Sequence, residues 1–196
     1  MTGILGEPKD EPHKALFDHL SAFSGGVIDV QDWSESNGRA PLGWSLVTMP
    51  PSANIPFWTY ATAGCWQAEK TCHWRSELVL ATADNRPEHE QLLKMAAFFQ
   101  LDPHLSIEPD KVLDIGHPWV EGSACTHLLA SLPPPFAFGE YFEWPHVSPC
   151  TRYIWLMPIT PAEADFANEQ GVGQLEFLFE KAAIDFTDPH RLPVVG

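Results

Sequence analysis

The chain has 196 residues and is 44% apolar, with eight Trp and twelve Phe. That much large apolar side chain offsets the conformational entropy lost on folding and excludes a disordered polypeptide, while the length suits one domain or at most two small ones. With 26 Asp and Glu against 11 Lys and Arg, the formal net charge is −15, which repels phosphate backbones and anionic membranes and leaves a basic or neutral protein or peptide as the partner. Acidity of this size serves solubility equally well.

"EPHKALFDHLSAFSGG" places Ala15, Leu16, His19, Leu20 and Phe23 near helical spacing, and Gly25-Gly26 follows as a stop. "GWSLVTMP" (43–50) alternates and ends at Pro50-Pro51, so it reads as a strand. "FWTYATAG" (57–64), rich in aromatic and β-branched residues, reads as a second. "HWRSELVLATAD" (73–84) reads as a third strand near the centre of a sheet, and the helix that follows opens at Pro87 and stops at Asp102-Pro103. Acids fill its first turn, where the helix dipole favours them, and Leu92, Leu93, Met95, Ala96 and Phe99 form its apolar face.

Val112–Ile115 and Thr126–Leu132 read as strands on either side of a Gly-bounded connection, and "LPPPFAFG" as a stiff exposed loop. Tyr153–Met157 is a continuous apolar run, expected to be a strand buried on both faces and stopped by Pro158. Thr160-Pro161-Ala162-Glu163 matches a capping box, with Thr160 as N-cap, Pro161 at N1 and Glu163 reaching back; Asp165 is expected in the same first turn. Gly171 ends this helix, and "GQLEFLFEKAAI" presents Leu175, Leu178, Phe179 and Ala182 on one face of another. No repeat or low-complexity linker marks a domain boundary.

Cys65, Cys72, Cys125 and Cys150 lack the spacing of a disulfide framework, and no charged-then-apolar leader precedes them. Buried reduced thiols in a cytoplasmic protein are expected. Cys65, Cys72, His73, Cys125 and His127 provide two near-adjacent Cys/His pairs but neither of the short hooks of a structural zinc site, so no metal is expected.

A hydrolase or metal-dependent enzyme would draw on His117, Ser123, Cys125 and His127, the last three sharing one face if extended. No nucleophile elbow or cysteine-protease signature surrounds them. Asp114 with Glu121, and Asp185 with Asp188, are pairs that could serve acid–base work, and solvated loop acids are the stronger reading. No P-loop or dinucleotide fingerprint is present. The density of Trp and Tyr points instead to a groove for a protein or peptide, because these side chains suit an apolar body meeting a wet edge.

Several stretches taken in order resemble one family. "GWSLVTMP", "FWTYATAGCW", "CHWRSELVLAT", "HPWVEGSACTHLLASLPPPF" and above all "WLMPITPAEADFANEQGVGQLEFLFEKAAIDFTDPHR" are similar to the suppressor-of-fused domain in its stand-alone bacterial form, from about residue 40 to the C-terminus. One departure is "RSEL", where the family pattern leads us to expect an aromatic in place of Ser76. The resemblance implies a non-enzymatic binding module. The animal protein, a regulator of Hedgehog signalling that sequesters Gli-type transcription factors, carries a further C-terminal domain and clamps its partner peptide between the two, so that site does not transfer whole. Bacterial members of the family are thought to include immunity proteins that neutralise secreted toxins, and an acidic surface suits a basic toxin.

The expected molecule is therefore an α+β domain with a mixed β-sheet flanked by helices. Residues 1–26 form an N-terminal helical segment and 27–196 a suppressor-of-fused-like domain, one globular unit in all. It is expected to be a monomer or weak homodimer without cofactor or catalytic residues, contacting a partner through Trp58, Tyr60, Trp66, Trp119, Glu121, Tyr141 and Trp144. A self-associating scaffold is the remaining alternative.

Overall fold

Where β-branched and aromatic residues alternate the chain is extended, and where apolar residues recur every three or four it is helical. The computed structural model describes residues 11–33, 43–53, 55–67, 75–101, 107–133, 141–142 and 151–196. In chain order the elements are α1 (Glu11–Ser24), β1 (Asp29–Asp32), β2 (Ser45–Met49), β3 (Trp58–Ala63), a 3-10 turn (Cys65–Gln67), β4 (Arg75–Thr82), α2 (Pro87–Phe99), β5 (Lys111–Asp114), β6 (His127–Ser131), β7 (Tyr141–Phe142), β8 (Thr151–Ile159), α3 (Pro161–Gln170) and α4 (Val172–Ala182).

The strands form one mixed sheet in the order β1-β2-β3-β4-β8-β6-β5, with β7 also pairing β8. Neighbours are antiparallel except β4 and β8, which run parallel from Arg75 opposite Thr151 to Val79 opposite Trp155. On its other side β8 meets β7 at Thr151 and Arg152 and β6 from Trp155 to Ile159. Central in the sheet, β8 is also covered on both faces, with Ile154 and Leu156 in one core cluster and Tyr153, Met157 and Ile159 in those opposite, which is why its sequence is an unbroken apolar run.

Alternation then sorts the side chains into two faces. Tyr60, Leu78, Leu80, Leu128, Ala130, Ile154 and Leu156 pack with Leu92, Leu93, Ala96 and Ala97 of α2. On the opposite face Leu16 and Leu20 of α1 cover Val47, Met49, Ala61, Ala63, Val79 and Tyr153. Beyond them Ala164, Ala167, Leu175 and Phe179 of α3 and α4 cover Leu129, Met157 and Ile159. Leu16 and Leu20 are fully buried, and each contributes about 1.5–3 kcal/mol relative to exposure, so packing rather than helix propensity holds α1 in place. The expected α+β architecture is the one observed.

Several local expectations need correction. Pro158 does not stop β8, which runs on to Ile159. By that point β4 no longer pairs with β8. The N–H and C=O of one residue point to the same side of a strand, and the Pro158 carbonyl accepts from Arg191 Nη2 at 3.2 Å. The missing N–H therefore faces the open side and costs no ladder bond. Asp165 lies beyond the first turn of α3, where Glu163 is the sole acid. The short strands β1 and β7 were not anticipated; β1, "DVQD", is a half-exposed edge with no apolar pattern and takes its conformation from pairing with β2. His73 and Trp74, and the "LPPPFAFG" segment from residue 134 onward, lie outside the described residues.

The "RSEL" strand carries two polar groups into the interior. Ser76 is buried with no partner for its hydroxyl among the described residues. Glu77 is fully buried, accepting from Thr62 Oγ1, from Gly64 N at 2.9 Å and from Trp66 N at 3.1 Å. Burial pushes its carboxyl up to about 7, against the pull of those donors. Glu77 thus ties the turn after β3 to the centre of the sheet.

Candidate partner-binding surface

The connection between β5 and β6 folds back on itself through Trp119 N to Cys125 O at 2.8 Å and Ser123 N to Val120 O at 3.0 Å. These bonds turn residues 117–121 toward α2. A cleft of about 370 Å³ opens between the two, lined on the helix by Glu88, Gln91, Leu92 and Met95 and on the connection by His117, Pro118, Trp119, Val120 and Glu121. Its floor is apolar, its two carboxylates are exposed, and among the described residues no Lys or Arg lines it.

A polar relay holds the N-terminal end of α2 beneath this cleft. Asp84 Oδ1 lies 2.8 Å from His89 Nε2, and Asp84 Oδ2 accepts from Arg86 Nε at 2.6 Å. Slight burial would raise the Asp84 carboxyl, but hydrogen bonds from His89 and Arg86 and their charges hold it below its usual range. Burial lowers His89 against the pull of Asp84. The His89 ring is 5.9 Å from Tyr60 and 5.3 Å from Trp119, centroid to centroid, and the Tyr60 hydroxyl donates to Asn85 Oδ1 at 2.7 Å. Trp119 Nε1 and His89 Nδ1 are both buried without a hydrogen-bond partner among the described residues.

Tyr60 and Trp119 are thus buried beside α2, Trp58 is half-buried against the same core cluster, and Glu121 is exposed on the rim of the cleft. Trp66 lies across the sheet, packed against the α1 cluster, with the Arg75 guanidinium 5.1 Å from its ring centroid. Tyr141 is in β7 and Trp144 lies outside the described residues. The sequence marks Trp119 and Glu121 as contacts and Met95 as part of the apolar helix face, whereas Glu88 reads there as an acid placed for the helix dipole and Gln91 carries no signal. The signal lay in "EHEQLLKM" and "GHPWVEG" taken together, and only the fold makes them neighbours.

The residues proposed for an enzymatic centre make structural bonds. Ser123 Oγ donates to Pro189 O at 2.5 Å and accepts from Cys125 N at 3.0 Å, so it does not meet a histidine. Cys125 is buried, and burial pushes its thiol up. His117 Nδ1 is 2.8 Å from Pro118 O, and His127 Nδ1 is 3.0 Å from Thr126 Oγ1. Asp114, Asp185 and Asp188 accept from backbone N–H groups two residues on, at Gly116, Thr187 and His190. Among the described residues no three His, Cys, Asp or Glu side chains gather as a metal site, and no helix is long and apolar enough to cross a membrane. Cys72 and Cys150 lie outside the described residues.

Comparison with known proteins gives a consistent answer. The family model of Suppressor of fused protein (SUFU) matches residues 41–192. The chain is similar to the solved structure of a SUFU (suppressor of fused protein) homologue from Neisseria gonorrhoeae FA 1090, at 28% identity and a TM-score of 0.79, over 94% of this chain and 97% of that one. It shares its fold with a chain of the Sufu-Fu complex, at 15% identity and a TM-score of 0.63, over 94% and 92% of the two chains. The fold of Drosophila Suppressor of Fused also matches, at 16% identity and a TM-score of 0.68, over 94% of this chain and 51% of that one, so this chain spans about half the Drosophila protein. No curated protein sequence matches it.

Proposed function

The chain belongs to the suppressor of fused family, and from that premise we propose that it neutralises a basic bacterial toxin by covering its surface. The family fold supports a non-enzymatic protein-interaction module, and the Sufu-Fu complex is a relative's fold seen with a protein partner. The observation that carries the reading to a basic partner is charge: 26 acids against 11 Lys and Arg, with the cleft between α2 and residues 117–121 bearing Glu88 and Glu121 and, among the described residues, no Lys or Arg. Such a surface speeds encounter with a positively charged protein and repels nucleic acid competing for it. In this reading the protein acts in the cytoplasm as a monomer or weak homodimer, and exposed or half-exposed side chains such as Trp58, Trp66 and Glu121 contribute to the contact.

The test is capture from the native host at low ionic strength, followed by co-expression. Recovery of a stoichiometric basic protein, toxic when expressed alone and harmless beside this chain, is the expected result. The captured complex should weaken steeply as salt rises, because screening shortens the reach of surface charge. Absence of any stoichiometric protein at low salt, or a partner whose toxicity is unchanged, overturns the reading.

A further inference from the structure

We propose that the cleft between α2 and residues 117–121 receives an arginine side chain carried on an apolar segment of the partner. The proposal rests on reading the chain as a protein-binding module and names the chemistry that the module recognises. At about 370 Å³ the cleft suits side chains of a bound segment rather than a large cofactor.

The lining is divided in the way that an arginine is. Leu92, Met95, Pro118, Trp119 and Val120 offer an apolar floor to the aliphatic stem, and Glu88 and Glu121 offer carboxylates from opposite walls to the guanidinium. The N-terminal end of α2 is itself partly positive and opposes a cation there, at about half a unit charge. Glu88 in that first turn, on the cleft wall, outweighs it, since a carboxylate's full charge exceeds half a unit. Arginine suits the site better than lysine because its planar guanidinium spreads five donors between two carboxylates and sheds water more readily.

Trp119 gives the cleft a reporter of its occupancy. Trp119 lines the cleft, is 2% exposed, and keeps its indole N–H buried with no acceptor among the described residues. The His89 ring packs 5.3 Å from it, centroid to centroid, and its Nδ1 is buried with no hydrogen-bond partner among the described residues.

The experiment titrates the intact protein with the blocked peptide acetyl-Gly-Leu-Arg-Leu-Gly-amide and with its citrulline analogue, which keeps the shape and loses the charge. The readout is the Trp119 indole N–H resonance, assigned through Trp119→Phe. Saturable movement of that resonance by the arginine peptide is expected, with binding weakened about tenfold or more for citrulline and for the Glu88→Gln, Glu121→Gln double variant. Both glutamates are solvent-facing, so the double variant keeps its fold. No movement of the indole resonance, equal binding of citrulline, or full binding by the double variant overturns the proposal. A host partner captured at low salt that still binds the double variant would retire this cleft and leave the protein-binding reading standing; absence of any host partner bears on that reading alone.

Discussion

Arg191 grips Glu163 at two points, Nη1 to Oε1 at 2.7 Å and Nη2 to Oε2 at 2.8 Å, with both side chains almost completely withdrawn from water. Glu163 also accepts from Thr160 N at 2.9 Å and from Val194 N at 3.0 Å, while the Arg191 guanidinium lies 5.2 Å from the Phe179 ring centroid. One carboxylate thereby caps α3, ties the C-terminal tail to it and neutralises the arginine that satisfies the Pro158 carbonyl.

Removing one partner strands the other. Arg191→Leu is expected to destabilise the protein by about 3–5 kcal/mol in urea unfolding, because a buried carboxylate loses its counter-charge. Glu163→Gln in the same background should cost much less than it does alone, and additive losses would show that the two do not act as a pair. Burial alone would raise the Glu163 carboxyl, yet Arg191 and the two backbone donors hold it below its ordinary value. Its contribution is therefore complete above the ordinary value of 4.5 and is lost as pH falls through the lower folded value.

Glu77 behaves in the opposite sense. Its folded value of about 7 lies above the ordinary 4.5, so ionising it costs more in the folded chain than in the unfolded one. Its contribution is complete below about pH 4.5 and is lost as pH rises to about 7, on the order of 3 kcal/mol in all. His89, lowered by burial, instead loses stability as pH falls below about 6.5, so the net slope mixes the two. Comparing Glu77→Gln with the parent at pH 5 and pH 8 by urea unfolding isolates the carboxyl. The variant should lose the decline toward pH 8 that the parent shows, and parallel curves would count against a neutral Glu77.

Gly64 closes the turn after β3 with φ of +117°, and a Cβ there would sit 2.7 Å from the Gly43 carbonyl oxygen and 3.0 Å from Trp44 Cα. Gly64→Ala meets strain in the backbone and a clash with backbone atoms, together about 2–4 kcal/mol. A drop in melting temperature of about 5–15 °C is expected for a domain of this size, and an unchanged transition would contradict the close approach.

Cys125 and Ser123 are parts of the β5–β6 connection rather than of a reactive centre. A thiol reagent should label Cys125 in the native protein far more slowly than in urea. Ser123→Ala should lower stability by about 1–3 kcal/mol, through the loss of its bonds to Pro189 and Cys125, and leave partner binding unchanged. Fast native labelling of Cys125 would return the enzymatic alternative.

Elements with strong local grammar were readable. The capping box at Thr160 and Glu163, Pro161 at N1 and Gly171 at the helix end are all present in α3. The "WLMPIT…DPHR" text that resembled the suppressor-of-fused family falls in the segment that the family model matches, 41–192. The strands β1 and β7 were not readable, since "DVQD" carries no apolar alternation and two residues are too few to show any, whereas the equally short β5 shows itself through Val112 and Leu113. The cleft was half readable: Trp119 and Glu121 stood out as an aromatic and an acid, whereas Glu88 looked like a carboxylate placed for the helix dipole alone.

What the sequence determined by itself is what depends on near neighbours along the chain: the period of each helix and strand, the cap, the stops, the net charge, and the ordered motifs of the family. Tertiary structure alone decided the rest. Glu163 looks like a cap from its own segment and becomes half of a buried ion pair because the chain returns Arg191 to it, 28 residues later. Glu77 looks like one polar residue in a strand and becomes the buried anchor of the preceding turn. Glu88 and Glu121 face one cleft because α2 and the β5–β6 connection pack over the same face of the sheet. Charge, burial and hydrogen-bond partners act across space, so the role of a carboxylate is set by what the fold brings to it.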